Sequence, residues 1–174
     1  NGTDSGVIDV PVENLILDEE NITIFGDFNQ DSIDSLSKDI ENDGFKGTIL
    51  AYPIRKDGDL QFYQIESGHK RYLAAKQAGL KKVPVIVTEI PKSDAERRLR
   101  LISMNLHTRE TPKPSILANE AAILLNSIRE LREEEGLSTD MTTLTQLVAE
   151  RMERSTKAIE KYRQFKKLIP KLQD

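Results

Sequence analysis

The stretch Ile65-Glu66-Ser67-Gly68-His69-Lys70-Arg71-Tyr72-Leu73-Ala74-Ala75 decides how the chain is read. A β-forming run over residues 60–66 ends at a glycine, and a helical pattern begins at once. Gly79 stops that helix, and Lys82-Val83-Pro84-Val85-Ile86-Val87 supplies a further strand. A strand that turns sharply into a helix aims the helix's unpaired N–H groups and positive dipole end at one spot. His69, Lys70 and Arg71 occupy that first turn. A guanidinium such as Arg71 can grip phosphate oxygens with two parallel N–H groups, and Lys70 acts as a point charge. The same residues also fit an ordinary strand–turn–helix whose basic side chains face water.

Upstream, residues 48–54 and 60–66 are rich in β-formers and flank Lys56-Asp57-Gly58-Asp59. The Asp-Gly step there predicts a hairpin. Residues 7–17 read as a short strand. Residues 31–42 carry Ile33, Leu36 and Ile40 at helical spacing, with Gly44 placed to cap the end. Pro84 predicts that the strand over 82–87 is an edge strand, or that Pro84 stands near its start.

From Ser93 the texture changes. Ser93-Asp94-Ala95-Glu96 is a capping box, and the helix it opens is expected to reach about Leu106. Thr111-Pro112-Lys113-Pro114 reads as a rigid link. A long amphipathic helix comes next over 115–135, then a polar loop over 137–141. Two shorter helices are expected over 144–152 and 155–168. The chain therefore divides into an α+β part, residues 1–110, and an all-helical part, residues 111–174.

The end of the helix before the link, Met104-Asn105-Leu106-His107-Thr108-Arg109-Glu110, is a second candidate site. The Asn105 carbonyl suits a hard cation such as magnesium, which binds through a few protein oxygens plus phosphates. Arg109 can reach a phosphate. The competing reading is a polar helix end that satisfies its own last carbonyls. The two histidines, His69 and His107, lack the paired spacing of a metal site, and no Ser-His-acid arrangement emerges.

The third candidate spans Leu144 to Tyr162. A short helix carries small Ala149 where a second helix must pack closely. A tight turn comes after it, and Ser155 can N-cap the second helix. In a helix-turn-helix the second helix enters the DNA major groove with its N-terminal residues foremost. Ser155, Thr156, Lys157 and Lys161 then stand as DNA contacts, with Arg163 beside them. A basic two-helix hairpin packed on its neighbours is the alternative.

The charge arithmetic supports partners that the total hides. The chain has 174 residues, with 25 Lys+Arg against 29 Asp+Glu, a net charge of -4. Residues 1–66 hold 15 acidic and 4 basic side chains, whereas residues 151–171 hold eight basic and two acidic. An anionic partner is thus compatible with an acidic total. The absence of cysteine excludes disulfides, zinc–thiolate sites and thiol nucleophiles. No apolar run approaches the length of a membrane span, and the N-terminus shows no signal pattern, so a cytoplasmic protein is expected.

Taken in order, these parts resemble the ParB-like partition family. Its N-terminal domain carries Gly-Glu-Arg-Arg or Gly-His-Arg-Arg where this chain has Gly68-His69-Lys70-Arg71, then an Ala-rich helix, a glycine and an apolar strand. The helix ending at Gly44 and the subsequent Ile49 resemble the family's segment before its Gly-x-x-x-Pro-Ile strand. Asn105, Leu106, His107 and Arg109 resemble an Asn-x-x-Arg element. Pro114 and Glu120-Ala121 resemble the Pro and the Glu-Ala pair that the family carries after that element. The resemblance covers about residues 7–174. It implies an α+β domain of the ParB/sulfiredoxin type with a helix-turn-helix domain after it.

It also implies a function: a CTP-gated DNA clamp for plasmid or chromosome partition, binding a centromere-like site in double-stranded DNA and closing on loading. Slow CTP hydrolysis, a ParA-type ATPase partner and nucleoid or plasmid association come with it. Gly68, His69, Lys70, Arg71 and Arg109 match phosphate ligands, and Asn105 a magnesium-side ligand. The sequence departs from the pattern at four places. Lys70 replaces an arginine, Met104 stands where many members have a glutamate, one extra residue separates Asn105 from Arg109, and Thr48 replaces a proline. A DNA-binding regulator without nucleotide, or a kinase or nuclease on the same fold, are the competing readings. Sulfiredoxin activity needs a cysteine and is excluded. The family continues past the position of Asp174 with further helices and a dimerisation region. This chain, which opens Asn-Gly-Thr without Met, is expected to be a fragment of a protein that is a homodimer at full length.

Overall fold

The structure, a computed structural model, describes residues 6–106 and 112–172. It divides into two compact units, Asn1–Ile90 and Pro91–Asp174.

The first unit runs β1 (Val7–Pro11), a 3-10 turn (Val12–Asn14), β2 (Leu15–Ile16), α1 (Glu19–Phe25), α2 (Gln30–Asp43), β3 (Ile49–Asp57), β4 (Leu60–Ser67), α3 (His69–Gln77) and β5 (Lys82–Val87). The five strands form one mixed sheet in the order β1-β5-β3-β4-β2. The expected hairpin is β3–β4. Asp57 pairs with Leu60, and Gly58 takes the first loop position at φ 57°. The core lies on this sheet: Ile49, Ala51, Ile65 and Val85 are fully buried, with Ala74 and Ala75 of α3 packed against them. Those small residues let α3 lie close to the strands.

The expected strand over residues 7–17 is two strands at opposite sheet edges. Pro11 cannot donate to a ladder, and the chain leaves β1 there. The link from Pro11 to Leu15 reaches at most about 14 Å. Edge strands of a flat five-stranded sheet would stand about 19 Å apart. The sheet must therefore curl until its edges approach one another.

Two further differences have local causes. Helix α1 is hidden from periodicity because Ile22-Thr23-Ile24-Phe25 is a β-forming run. Its ends are conventional: the Glu20 N–H donates to Asp18 Oδ1 at 2.9 Å, and Gly26 comes after its last residue at φ 82°. Strand β5 is not an edge; it lies between β1 and β3. Pro84 pairs with Asp9 of β1, but the ladder to β3 begins only at Val85. At Pro84 the strand has a neighbour on one side only, so the missing N–H costs no ladder bond to β3.

The second unit is helical: α4 (Asp94–Asn105), α5 (Pro114–Glu134), α6 (Met141–Met152) and α7 (Thr156–Leu172). The Glu96 N–H donates to Ser93 Oγ at 3.2 Å, and Glu96 Oε2 accepts from the Lys92 N–H at 2.7 Å. Sequence order groups α4 with the sheet, in a domain ending near 110. In the structure α4 falls with the helical unit, because Leu101 and Ile102 are fully buried and α4 packs on α5. Helix α6 starts three residues before the expected 144. The Asp140 carboxylate accepts from the Thr143 N–H at 2.9 Å, the Thr143 hydroxyl at 2.6 Å and the Ser138 hydroxyl at 2.7 Å. That side chain closes the helix start.

Helices α6 and α7 meet through Glu153, Arg154 and Ser155. Glu153 is left-handed, at φ 51° and ψ 44°. The Arg154 N–H bonds the Ala149 carbonyl at 2.9 Å and the Glu153 N–H bonds the Glu150 carbonyl at 3.2 Å. This pair of bonds is the Schellman closure, with glutamate where glycine is usual. Ser155 Oγ then caps α7 by accepting from the Ala158 N–H at 3.2 Å. Leu144, Val148 and Ile159 are fully buried within this helical unit. Among the described residues, no helix is long and apolar enough to cross a membrane.

Candidate anion and nucleic-acid sites

The turn from β4 into α3 is built on Gly68. Its backbone is left-handed, φ 98° and ψ 21°, which an L side chain adopts only at a cost. A Cβ placed there would lie 3.2 Å from Ile49 Cγ1. Gly68 therefore serves both a turn and a close approach. The Gly68 carbonyl accepts from the Tyr72 N–H at 2.8 Å, so the helix closes at once. Gly68, its N-cap residue, has no side chain with which to cap it. The first-turn N–H groups of an uncapped helix are donors for an anion or water.

The three side chains on that turn have different fates. Lys70 is exposed. Arg71 is half-buried, and its Nη1 donates to the Thr48 carbonyl at 2.8 Å. Gly47, at φ 86°, makes room for it, since a Cβ at Gly47 would lie 2.6 Å from Nη1. Arg71 also lines a cleft of about 330 Å3 with Asp39, Asp43, Phe45 and Lys46 at the C-terminal end of α2. Proximity in sequence gives no hint that Gly47 and Thr48 shape the setting of Arg71.

His69 is 3% exposed. Its Nδ1 meets the Asn21 Nδ2 at 3.3 Å, and its ring stacks on Phe28 with centroids 6.4 Å apart. Burial pushes the imidazole down to about 4, against weaker upward pulls from Asp18 and the Ile65 backbone. At neutral pH the ring is uncharged. What residue 69 offers an anion is its backbone N–H rather than a cationic side chain. His69 Nε2 and Asn21 Oδ1 are buried without a well-formed hydrogen bond among the described residues. Just before the turn, the buried Glu66 accepts from the Thr88 hydroxyl at 2.8 Å.

The other expected ligands are elsewhere. Asn105 ends α4 in the second unit, buried, with its Nδ2 donating to the Leu101 carbonyl at 2.6 Å. Its oxygen is thus the end with the chemistry to meet a cation. Among the described residues, no three His, Cys, Asp or Glu side chains are grouped to hold a metal. Arg109 lies outside the described residues.

On α7, Thr156, Lys157 and Lys161 are exposed and Ser155 caps the helix, while Arg163 is half-buried. Lys157 and Lys161 are one helical turn apart and share a face. Lys166 is turned away to α5, where it donates to Asn119 Oδ1 at 2.9 Å. The exposed side chains of α7's first two turns are Lys157 and Lys161, together with Thr156 and the acidic Glu160.

Residues 2–106 match the family described as the ParB N-terminal domain. The chromosome-partitioning protein ParB of Myxococcus xanthus is 34% identical over 91 residues, 52% of this chain and 28% of that protein. The chain thus spans under a third of that relative's length. Among solved structures, the C-terminally truncated ParB of Caulobacter crescentus complexed to the centromeric parS site is similar with a TM-score of 0.55. It is 22% identical, with 89% of this chain and 69% of that one covered. The same truncated protein complexed with CTP-γ-S gives a TM-score of 0.50 at 23% identity, covering 88% and 74%. At these identities the structural likeness speaks to the fold.

Proposed function

As the chain belongs to the ParB N-terminal domain family, we propose that it is a partition-type DNA-binding protein whose hold on double-stranded DNA is set by a bound cytidine nucleotide. The phosphates lie at the N-terminus of α3. They take the N–H groups of residues 69–71 and the Lys70 ammonium, and Arg71 swings from Thr48 or stays to fix the Gly47 loop. Helices α6 and α7 act as a helix-turn-helix, with Ser155, Thr156, Lys157 and Lys161 toward the DNA and Arg163 at the flank. The DNA is a centromere-like site of a plasmid or chromosome. Within the same reading, Asn105 is a magnesium-side ligand, with most coordination from phosphate oxygens, and Arg109 is a phosphate ligand. Slow CTP hydrolysis, a homodimer and a ParA-type ATPase partner complete it.

The observation that carries this reading is Gly68: a left-handed residue pressed onto Ile49, with no side chain of its own to cap the helix that it opens, stands beside an exposed lysine. A side chain at that position would fill the cradle. A DNA-binding regulator without nucleotide is favoured by one fact. Of the three side chains on the turn, Lys70 alone is fully exposed, since His69 is buried and Arg71 is half-buried and bonded to Thr48. Titrating the chain with CTP, ATP and GTP, with and without magnesium, separates the two. Saturable binding selective for CTP supports the gated reading. Binding by no nucleotide, with DNA binding intact, supports the regulator.

A further inference from the structure

Helix α1 has seven residues, too few to be stable alone in water. It is held by what it touches, and one buried polar contact runs to the first residue of α3. Asn21, 3% exposed, meets the His69 ring, and Phe28, just past α1, stacks on the same ring at an interplanar angle of 21°. Residue 69 also supplies the first N–H of the anion-facing turn. One residue thus has its backbone in the cradle and its ring in a socket made by α1 and the loop after it.

The socket is a poor choice for folding alone. Among the described residues, Asn21 Oδ1 and His69 Nε2 are both buried without a well-formed hydrogen bond. Two apolar side chains of the same shape would pack there without that desolvation cost. What the polar pair adds is direction: an amide and an imidazole meet in one orientation, and buried polar contacts of this kind specify register. A buried group with unmet hydrogen-bonding capacity calls for an explanation beyond stability.

We propose that Asn21 and Phe28 are positioning residues for the nucleotide phosphates, acting through His69 to hold the first turn of α3 in its binding orientation. The inference rests on the nucleotide reading above. Binding at the turn and docking of α1 are then coupled, and the coupling is reciprocal. A phosphate on the residue 69 N–H favours the seated ring, and a seated ring favours the phosphate.

The test uses the whole chain and CTP with magnesium. Asn21→Ala should weaken CTP binding about tenfold, the scale of losing one buried polar partner. Affinity for a random DNA duplex measured without nucleotide, which reads α7, should stay within about twofold. Equal CTP affinity in Asn21→Ala and wild type overturns the proposal and leaves the nucleotide reading standing. In the wild type, adding CTP should shift the His69 ring and Asn21 side-chain amide resonances. His69 is one of only two histidines, so the ring signals are easily resolved. This second readout decides the matter if Asn21→Ala does not fold: unmoved resonances at saturating CTP overturn the coupling. A wild type that binds no nucleotide fails the functional reading itself and takes this inference with it.

Discussion

Gly68 stands over Ile49 so closely that a Cβ on it would come 3.2 Å from Ile49 Cγ1. Ile49 is fully buried at the start of β3. The contact fixes how near the β4–α3 turn lies to the sheet, and so where the first-turn N–H groups point. Gly68→Ala combines this crowding with a left-handed backbone. It should cost about 1–2 kcal/mol of stability, read from urea unfolding, and abolish CTP binding at concentrations that saturate the wild type.

Glu153 gives a prediction of opposite sign. It closes α6 at φ 51° with the hydrogen-bond pattern that glycine usually serves. Glu153→Gly should raise stability by about 0.5–1 kcal/mol through relief of left-handed strain, seen as a higher denaturant midpoint. A lower midpoint would mean that the glutamate side chain contributes more than its backbone costs.

His69 makes stability depend on pH. The folded chain holds its ring near a pKa of about 4, whereas the unfolded ring titrates near 6.5. Between these values the unfolded chain binds the extra proton. Stability is therefore full above 6.5 and is lost as pH falls toward 4. The shift corresponds to about 3 kcal/mol. Urea unfolding at pH 7 and pH 4.5 measures the loss, and His69→Gln should remove much of the difference.

The two exposed lysines early in α7 predict a salt effect. Lys157→Ala and Lys161→Ala should each weaken binding to any duplex and reduce the slope of log affinity against log salt by about 0.9. Lys166→Ala, whose ammonium is engaged by Asn119, should change the slope less. Unchanged slopes for both of the first two variants would remove α7 from the DNA interface.

Much of the fold is legible because local signals coincide with element ends. Asp57-Gly58 marks the hairpin, Ser93 with Glu96 opens α4, and Gly44 closes α2. The failures are places where local and tertiary cues conflict. The β-forming run 22–25 masks α1 although Asp18 and Gly26 bracket it. Pro84 looks like an edge residue, and only the late start of the β3 ladder explains its tolerance inside the sheet. For the site, Gly68 and the basic turn are visible in sequence. The burial of His69, its partner Asn21 48 residues away, and the Thr48 carbonyl that engages Arg71 are set by tertiary packing and leave no spacing to read.

If a nucleotide's phosphates sit on the first turn of α3, backbone amide NMR of the whole chain with CTP and magnesium added will show it. The largest shifts should fall on the amides of Gly68, His69, Lys70 and Arg71. Saturable CTP binding that leaves those amides unmoved, or no CTP binding at all, would contradict it.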